Sequence, residues 1–99
     1  MRGLTIVVAS DDPARFDAAL TLVNAQAAIG GRARLYLHDT AVLLRFVGAL
    51  ADTARELGVE MIACQTALDR HRVAPPADVV GGGMVGLLAS IDDDRLVVV

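Results

Sequence analysis

Four short runs, Leu4–Ala9, Arg34–Leu37, Val59–Ala63 and Leu96–Val99, carry apolar residues with little strict alternation, and segments of helical period separate them. A strand that is apolar on successive positions is buried on both faces, as in a parallel sheet covered by helices. The alternation of strand and helix with short links therefore points to an α/β three-layer sandwich, with a mainly parallel sheet and helices on both faces. The chain has 99 residues, enough for one domain spanning 1–99.

Local signals place the helices. Asp12 followed by Pro13 is a cap and helix start, and Phe16, Leu20, Val23 and Ala27 recur at helical spacing until Gly30-Gly31. After the second strand, Asp39 or Thr40 can cap the next helical segment. The segment Ala41–Val47 is apolar on nearly every side except at Arg45, which predicts a helix. Val47, Leu50, Ala54 and Leu57 then form one stripe before Gly58, with Gly48 as a candidate break. Cys64-Gln65-Thr66 opens a brief helix through Asp69 or Arg70, and Ala74-Pro75-Pro76 is an extended connector. Asp78-Val79-Val80 leads into Gly81-Gly82-Gly83, and Met84, Leu87, Leu88 and Ile91 read as a final helix. Three carboxylates at a helix C-terminus oppose the macrodipole, so Asp92, Asp93 and Asp94 are expected to form a turn.

Composition narrows the function classes. Nine Arg and no Lys stand against twelve acidic residues for a net charge of −3, and the Arg positions are scattered, so no basic stripe exists for nucleic acid. Without Lys, Schiff-base chemistry and the phosphate-gripping lysine of a P-loop are excluded. One cysteine makes no internal disulfide, no apolar run approaches the length of a membrane-spanning helix, and the first residues carry no cleavable leader pattern. A cytoplasmic protein is expected. The chain is 55% hydrophobic but only 3% aromatic. In so short a chain, that apolar excess predicts surface buried against another copy. The helix carrying Val42, Leu43, Phe46 and Val47 is the expected contact, with burial inside the monomer as the alternative.

In open parallel sheets, sites form at the carboxyl ends of strands. That edge is expected to gather Ser10, Asp11, His38, Asp39, Cys64, Gln65 and Thr66, with Gly81, Gly82 and Gly83 joining them. Cys64, at the first turn of a helix, meets unpaired N–H groups that favour its thiolate and would make it a nucleophile, although a cysteine there can also pack as a small hydrophobe. His38 and His71 can assist a thiolate but have no metal-ligand spacing. His71 lies between Arg70 and Arg72, a segment that either brings positive charge to Cys64 or forms a solvated turn. Asp11 and Asp12 read as capping residues before they read as an acid/base pair. GGGMVG lacks the features of a dinucleotide fingerprint, so those glycines read as a turn or close packing. Nothing calls for a cofactor.

The stretch Leu57-Gly58-Val59-Glu60-Met61-Ile62-Ala63-Cys64-Gln65-Thr66-Ala67-Leu68-Asp69 resembles the DsrE/DsrF family, in which a strand ends in a Cys before a short helix. The opening strand and Ala-rich helix, LYLHDTAVLL, VVGGGMVGLLA and DDDRLVVV extend the resemblance over nearly the whole chain. It implies a five-stranded, mainly parallel sheet, assembly as a trimer or hexamer, and a sulfur-relay cysteine at Cys64 exchanging persulfide sulfur with donor and acceptor proteins. His38 or Arg70 would assist. The chain departs from the pattern in its short loop from His38 to Leu44 and in lacking a second cysteine beside Cys64, so transfer would be intermolecular. The competing reading is a non-catalytic oligomeric binding module for a small ligand or protein.

Overall fold

A computed structural model describes residues 1–99. In chain order the elements are β1 (Leu4–Val8), α1 (Pro13–Ala28), β2 (Ala33–Leu37), a 3₁₀ turn (Asp39–Leu43), α2 (Ala49–Glu56), β3 (Glu60–Cys64), α3 (Gln65–His71), β4 (Val80–Gly82), α4 (Met84–Ala89) and β5 (Arg95–Val98). The five strands form one sheet in the order β4-β3-β2-β1-β5, with every pairing parallel. The molecule is a three-layer α/β sandwich.

Alternation along the strands sends Leu4, Ile6, Val8, Leu35, Leu37, Met61 and Ala63 to one face, where Phe16, Ala19, Leu20 and Val23 of α1, Ala51 and Ala54 of α2, and Ala67 and Leu68 of α3 cover them. Val7 and Tyr36 belong to the other face, which α4 covers through Leu87. The strand order accounts for this division. From β1 to β4 the chain advances across the sheet in one direction, and from β4 to β5 it returns past β1, so crossovers of one hand place α4 opposite the other helices.

Asp12 caps α1 by accepting from the Ala14 N–H at 3.0 Å, and Pro13 opens the helix as expected. The apolar helix expected over Ala41–Val47 does not form. The chain makes the 3₁₀ turn instead and then runs extended, to Gly48 (φ 103°) at the start of α2. This turn drops Ala41, Val42, Leu44 and Phe46 into the chain's own core, with Val42 at 4% and Phe46 at 2% exposure. The contact expected through Val42 and Phe46 is thereby corrected: both are spent inside the monomer, and only Leu43 and Val47 of that segment's apolar residues face outward. Of the expected stripe, Ala54 is buried and Leu50 packs against the core, with Ala51 beside them, whereas Val47 and Leu57 are exposed beyond the helix ends. Val80–Gly82, which reads in the sequence as the approach to a glycine loop, is the edge strand β4 beside β3.

Candidate functional site

Cys64 ends β3 and serves as the cap residue of α3. Its backbone (φ −58°, ψ 113°) is not helical, so the residue precedes the first turn of α3 instead of belonging to it. The Cys64 side chain makes no capping hydrogen bond, but the free N–H groups of Thr66 and Ala67 at the start of α3 favour its thiolate. The Asp39 N–H acts in the same direction, from a left-handed backbone (φ 52°) that Asp tolerates better than most residues. On the neighbouring strand, Tyr36 belongs to the cluster against which Cys64 packs, and its hydroxyl also favours the thiolate.

These contacts decide the charge of the thiol. Partial burial pushes the Cys64 pKa up, but the Ala67 N–H, the Tyr36 hydroxyl and the N–H groups of Thr66 and Asp39 together overcome it, and the net displacement is downward. Tyr36 moves the other way, raised by burial and then by its hydrogen bond to Cys64 and the charge there. The sulfur is half-buried and opens on a cleft of about 320 Å³ lined by His38, Asp39, Cys64, Thr66, Ala67 and Arg70. Arg70 Nη1 lies 3.3 Å from Asp39 Oδ1 across the mouth, an exposed pair contributing little to stability but keeping a cation at the rim. Such a cleft suits a nucleophilic sulfur that must reach a small or extended partner.

Of the residues expected at the strand ends, the structure brings His38, Asp39 and Thr66 to Cys64. Ser10 and Asp11 do not line this cleft. They follow β1, two strands from β3, and a separation of roughly 10 Å in the sheet direction puts β2 and its His38-Asp39 turn between them. Asp11 instead lines a larger cavity of about 570 Å³ between α1 and the segment Leu43–Leu50. Gln65 donates to Asp69 Oδ1 at 2.9 Å and lies against Gly81, where a Cβ would collide with its Oε1. Gly82 is paired with Cys64, but Gly81, Gly82 and Gly83 line a separate cavity with Arg34, Glu60 and Ser90. Of the Arg70–Arg72 segment, only Arg70 reaches the cleft.

Tyr36 is a site residue that sequence reasoning misses. Its only sequence signal is its position two residues before His38, which puts it on one face of a strand whose neighbour is unknown from sequence. No group of three or more His, Cys, Asp or Glu side chains is arranged to hold a metal ion. No helix is long and apolar enough to cross a membrane. No protein-family model matches the chain, and no curated protein matches it in sequence.

Proposed function

We propose that this chain is a cytoplasmic sulfur-relay protein of the DsrE/DsrF type, a homo-oligomeric carrier (trimer or hexamer) that accepts sulfane sulfur on Cys64 and passes it to a partner protein. The observation that carries this reading is the place of Cys64, at the carboxyl end of β3 and the start of α3, half-buried on an open cleft with its pKa displaced downward. In loading, the Cys64 thiolate attacks the outer sulfur of a donor persulfide. A bond forms between Sγ and that sulfur, the donor's S–S bond breaks, and its electron pair leaves on the donor thiolate. Because Cys64 is the chain's one cysteine, the sulfur can leave only to another molecule.

The test is intact mass after incubation with a persulfide donor. Wild-type protein gains one sulfur atom, reversed by a reducing thiol, and Cys64→Ala gains none. A folded wild type that gains nothing overturns the carrier reading. One observation would then favour a non-catalytic binding module: the largest cavity, beside Phe16, Leu20 and Leu44, lies away from Cys64.

A further inference from the structure

Strand β5 closes one edge of the sheet beside β1 and is covered on neither face, every one of its residues being exposed. Its backbone groups alternate in direction. Arg95 donates to the Gly3 carbonyl at 2.9 Å and Val99 to the Val7 carbonyl at 2.8 Å, while the Val99 carbonyl accepts from Ala9. Arg95, Val97 and Val99 thus turn to β1, and the N–H and C=O of Leu96 and Val98 point off the edge without a partner. The side chains alternate too. Val97 shares a groove of about 460 Å³ with Leu22 and Ile29 on the face of α1, and Leu96 and Val98 take the face of Val7, that of α4. The opposite edge strand, β4, offers only Val80 beside two glycines.

We propose that two copies of this chain pair through β5, antiparallel about a two-fold axis at Val97, so that their two sheets become one; this rests on the homo-oligomer of the reading above and not on its sulfur chemistry. The free groups fix the register. Residues that exchange hydrogen bonds across an antiparallel pair must both point outward, so Leu96 and Val98 can stand only opposite Leu96 or Val98 of the partner subunit. Setting Leu96 opposite Val98 of the partner subunit uses every outward group of both strands. A register centred on Leu96 or on Val98 would engage one residue of each strand and leave the groups of the other unmet. In the chosen register Val97 meets its own copy on one face, Leu96 meets Val98 of the partner subunit on the other, and Arg95 is not set against Arg95 of the partner subunit.

The area agrees with such a pair. Leu22, Ile29, Leu96, Val97 and Val98 are between 37% and 67% exposed, and together they hold on the order of 400 Å² of apolar surface per subunit. One partner of a standard interface gives about 800 Å², a little over half of it apolar. The contact closes on itself, and such a pair is a unit from which a hexamer, though not a trimer, is built.

The test reads amide exchange of the wild type by NMR at a concentration where it is associated. Leu96 and Val98 N–H are expected to exchange at least about 100-fold more slowly than in an unstructured peptide, as Val97 and Val99 do through their bonds to β1. Val97→Cys in a Cys64→Ser background gives a second readout, with the chain's one thiol at the axis. The two copies of residue 97 stand about 4.5 Å apart between Cα atoms, so mild oxidation is expected to link most of the protein into covalent dimers. Leu96→Cys or Val98→Cys in the same background is expected to stay unlinked, because its own copy lies two residues along the partner strand, beyond the reach of a disulfide. An associated wild type whose Leu96 and Val98 amides exchange as freely as a peptide overturns the pairing and leaves the homo-oligomer standing. Position 96 or 98 linking faster than position 97 overturns the register. A wild type that stays a monomer overturns the pairing and the homo-oligomer together.

Discussion

Arg34 and Asp94 form an ion pair on the face of the sheet covered by α4, with Nε 3.6 Å from Oδ2 and both side chains 2% exposed. The pair is embedded in further bonds. Thr5 Oγ1 donates to Asp94 at 2.8 Å and accepts from Arg34 Nε at 3.1 Å, and the other guanidinium nitrogens donate to Ser90 Oγ and the Leu87 carbonyl. The network ties β2, β1, the end of α4 and the turn before β5 together. Gly3 makes room for it, because a Cβ there would occupy the place of the Asp94 carboxylate.

Removing Asp94 leaves the Arg34 charge buried without its counterion, whereas removing Arg34 leaves Asp94 a second, half-exposed partner in Arg32 at 3.5 Å. Asp94→Ala is therefore expected to lower stability by about 3–5 kcal/mol, and Arg34→Met by less. The double variant should lose less than the sum of the two, because it leaves no orphan charge. Urea unfolding of all four proteins checks both statements, and additive losses would show that the two residues act independently.

Cys64 reactivity should carry the signature of its displaced pKa. As the thiol titrates below its ordinary range, the folded protein keeps a thiolate at pH values where free cysteine is protonated, and alkylation near neutral pH should exceed the free-cysteine rate. The linkage has a fixed sign: a pKa lowered on folding contributes stability above the unfolded-state value, and that contribution is lost as pH falls through the folded one. Cys64→Ala should thus flatten the dependence of unfolding free energy on pH over that window. An alkylation rate at or below that of free cysteine would refute the activated thiolate.

The fold is most legible in the sequence where local chemistry decides the outcome. The Asp12-Pro13 start of α1 and the handover at Cys64 are written in adjacent residues, and both form as expected. The segment Ala41–Val47 misleads because a continuous apolar run has no period of its own. Helical burial all round and a 3₁₀ turn feeding an extended strap place the same residues in a core. Long-range partners are not legible at all. Asp94 reads as one of three turn aspartates because nothing nearby announces Arg34, and Tyr36 gains its role only when β2 settles beside β3. The expected gathering of Ser10 with Cys64 fails because β2 lies between β1 and β3, and its His38-Asp39 turn takes the place beside Cys64.

The corrected place of Val42 and Phe46 changes what their substitution should do. Phe46 packs at 5.7 Å on Phe16 of α1, and Arg55 lies over its ring. Putting Asp at 42 or 46 places a carboxylate in the monomer core, so a loss of at least about 3 kcal/mol is expected in denaturant unfolding. A variant that keeps wild-type stability and only sediments more slowly would restore these residues to a subunit contact.

The proposed assembly must then draw on other surface. On the face bearing α4, Leu96 is 48% and Val98 65% exposed, and Val85 and Leu88 of α4 are exposed as well. The β5 sequence RLVV lacks the alternation of a half-solvated strand, yet all four of its residues are exposed, so the strand carries the pattern of one that is covered. Its outer edge also presents unpaired backbone groups that a second copy can satisfy. Each Å² of apolar surface removed from water there favours association by about 25 cal/mol, and a few such side chains from each subunit suffice to drive it. Asp at position 96 or 98 is expected to leave urea unfolding within about 0.5 kcal/mol of wild type, since neither side chain is in the core, and to reduce the assembly to monomer. Sedimentation velocity at micromolar concentration reads the result. A wild type that already runs at the mass of one chain would contradict the homo-oligomer.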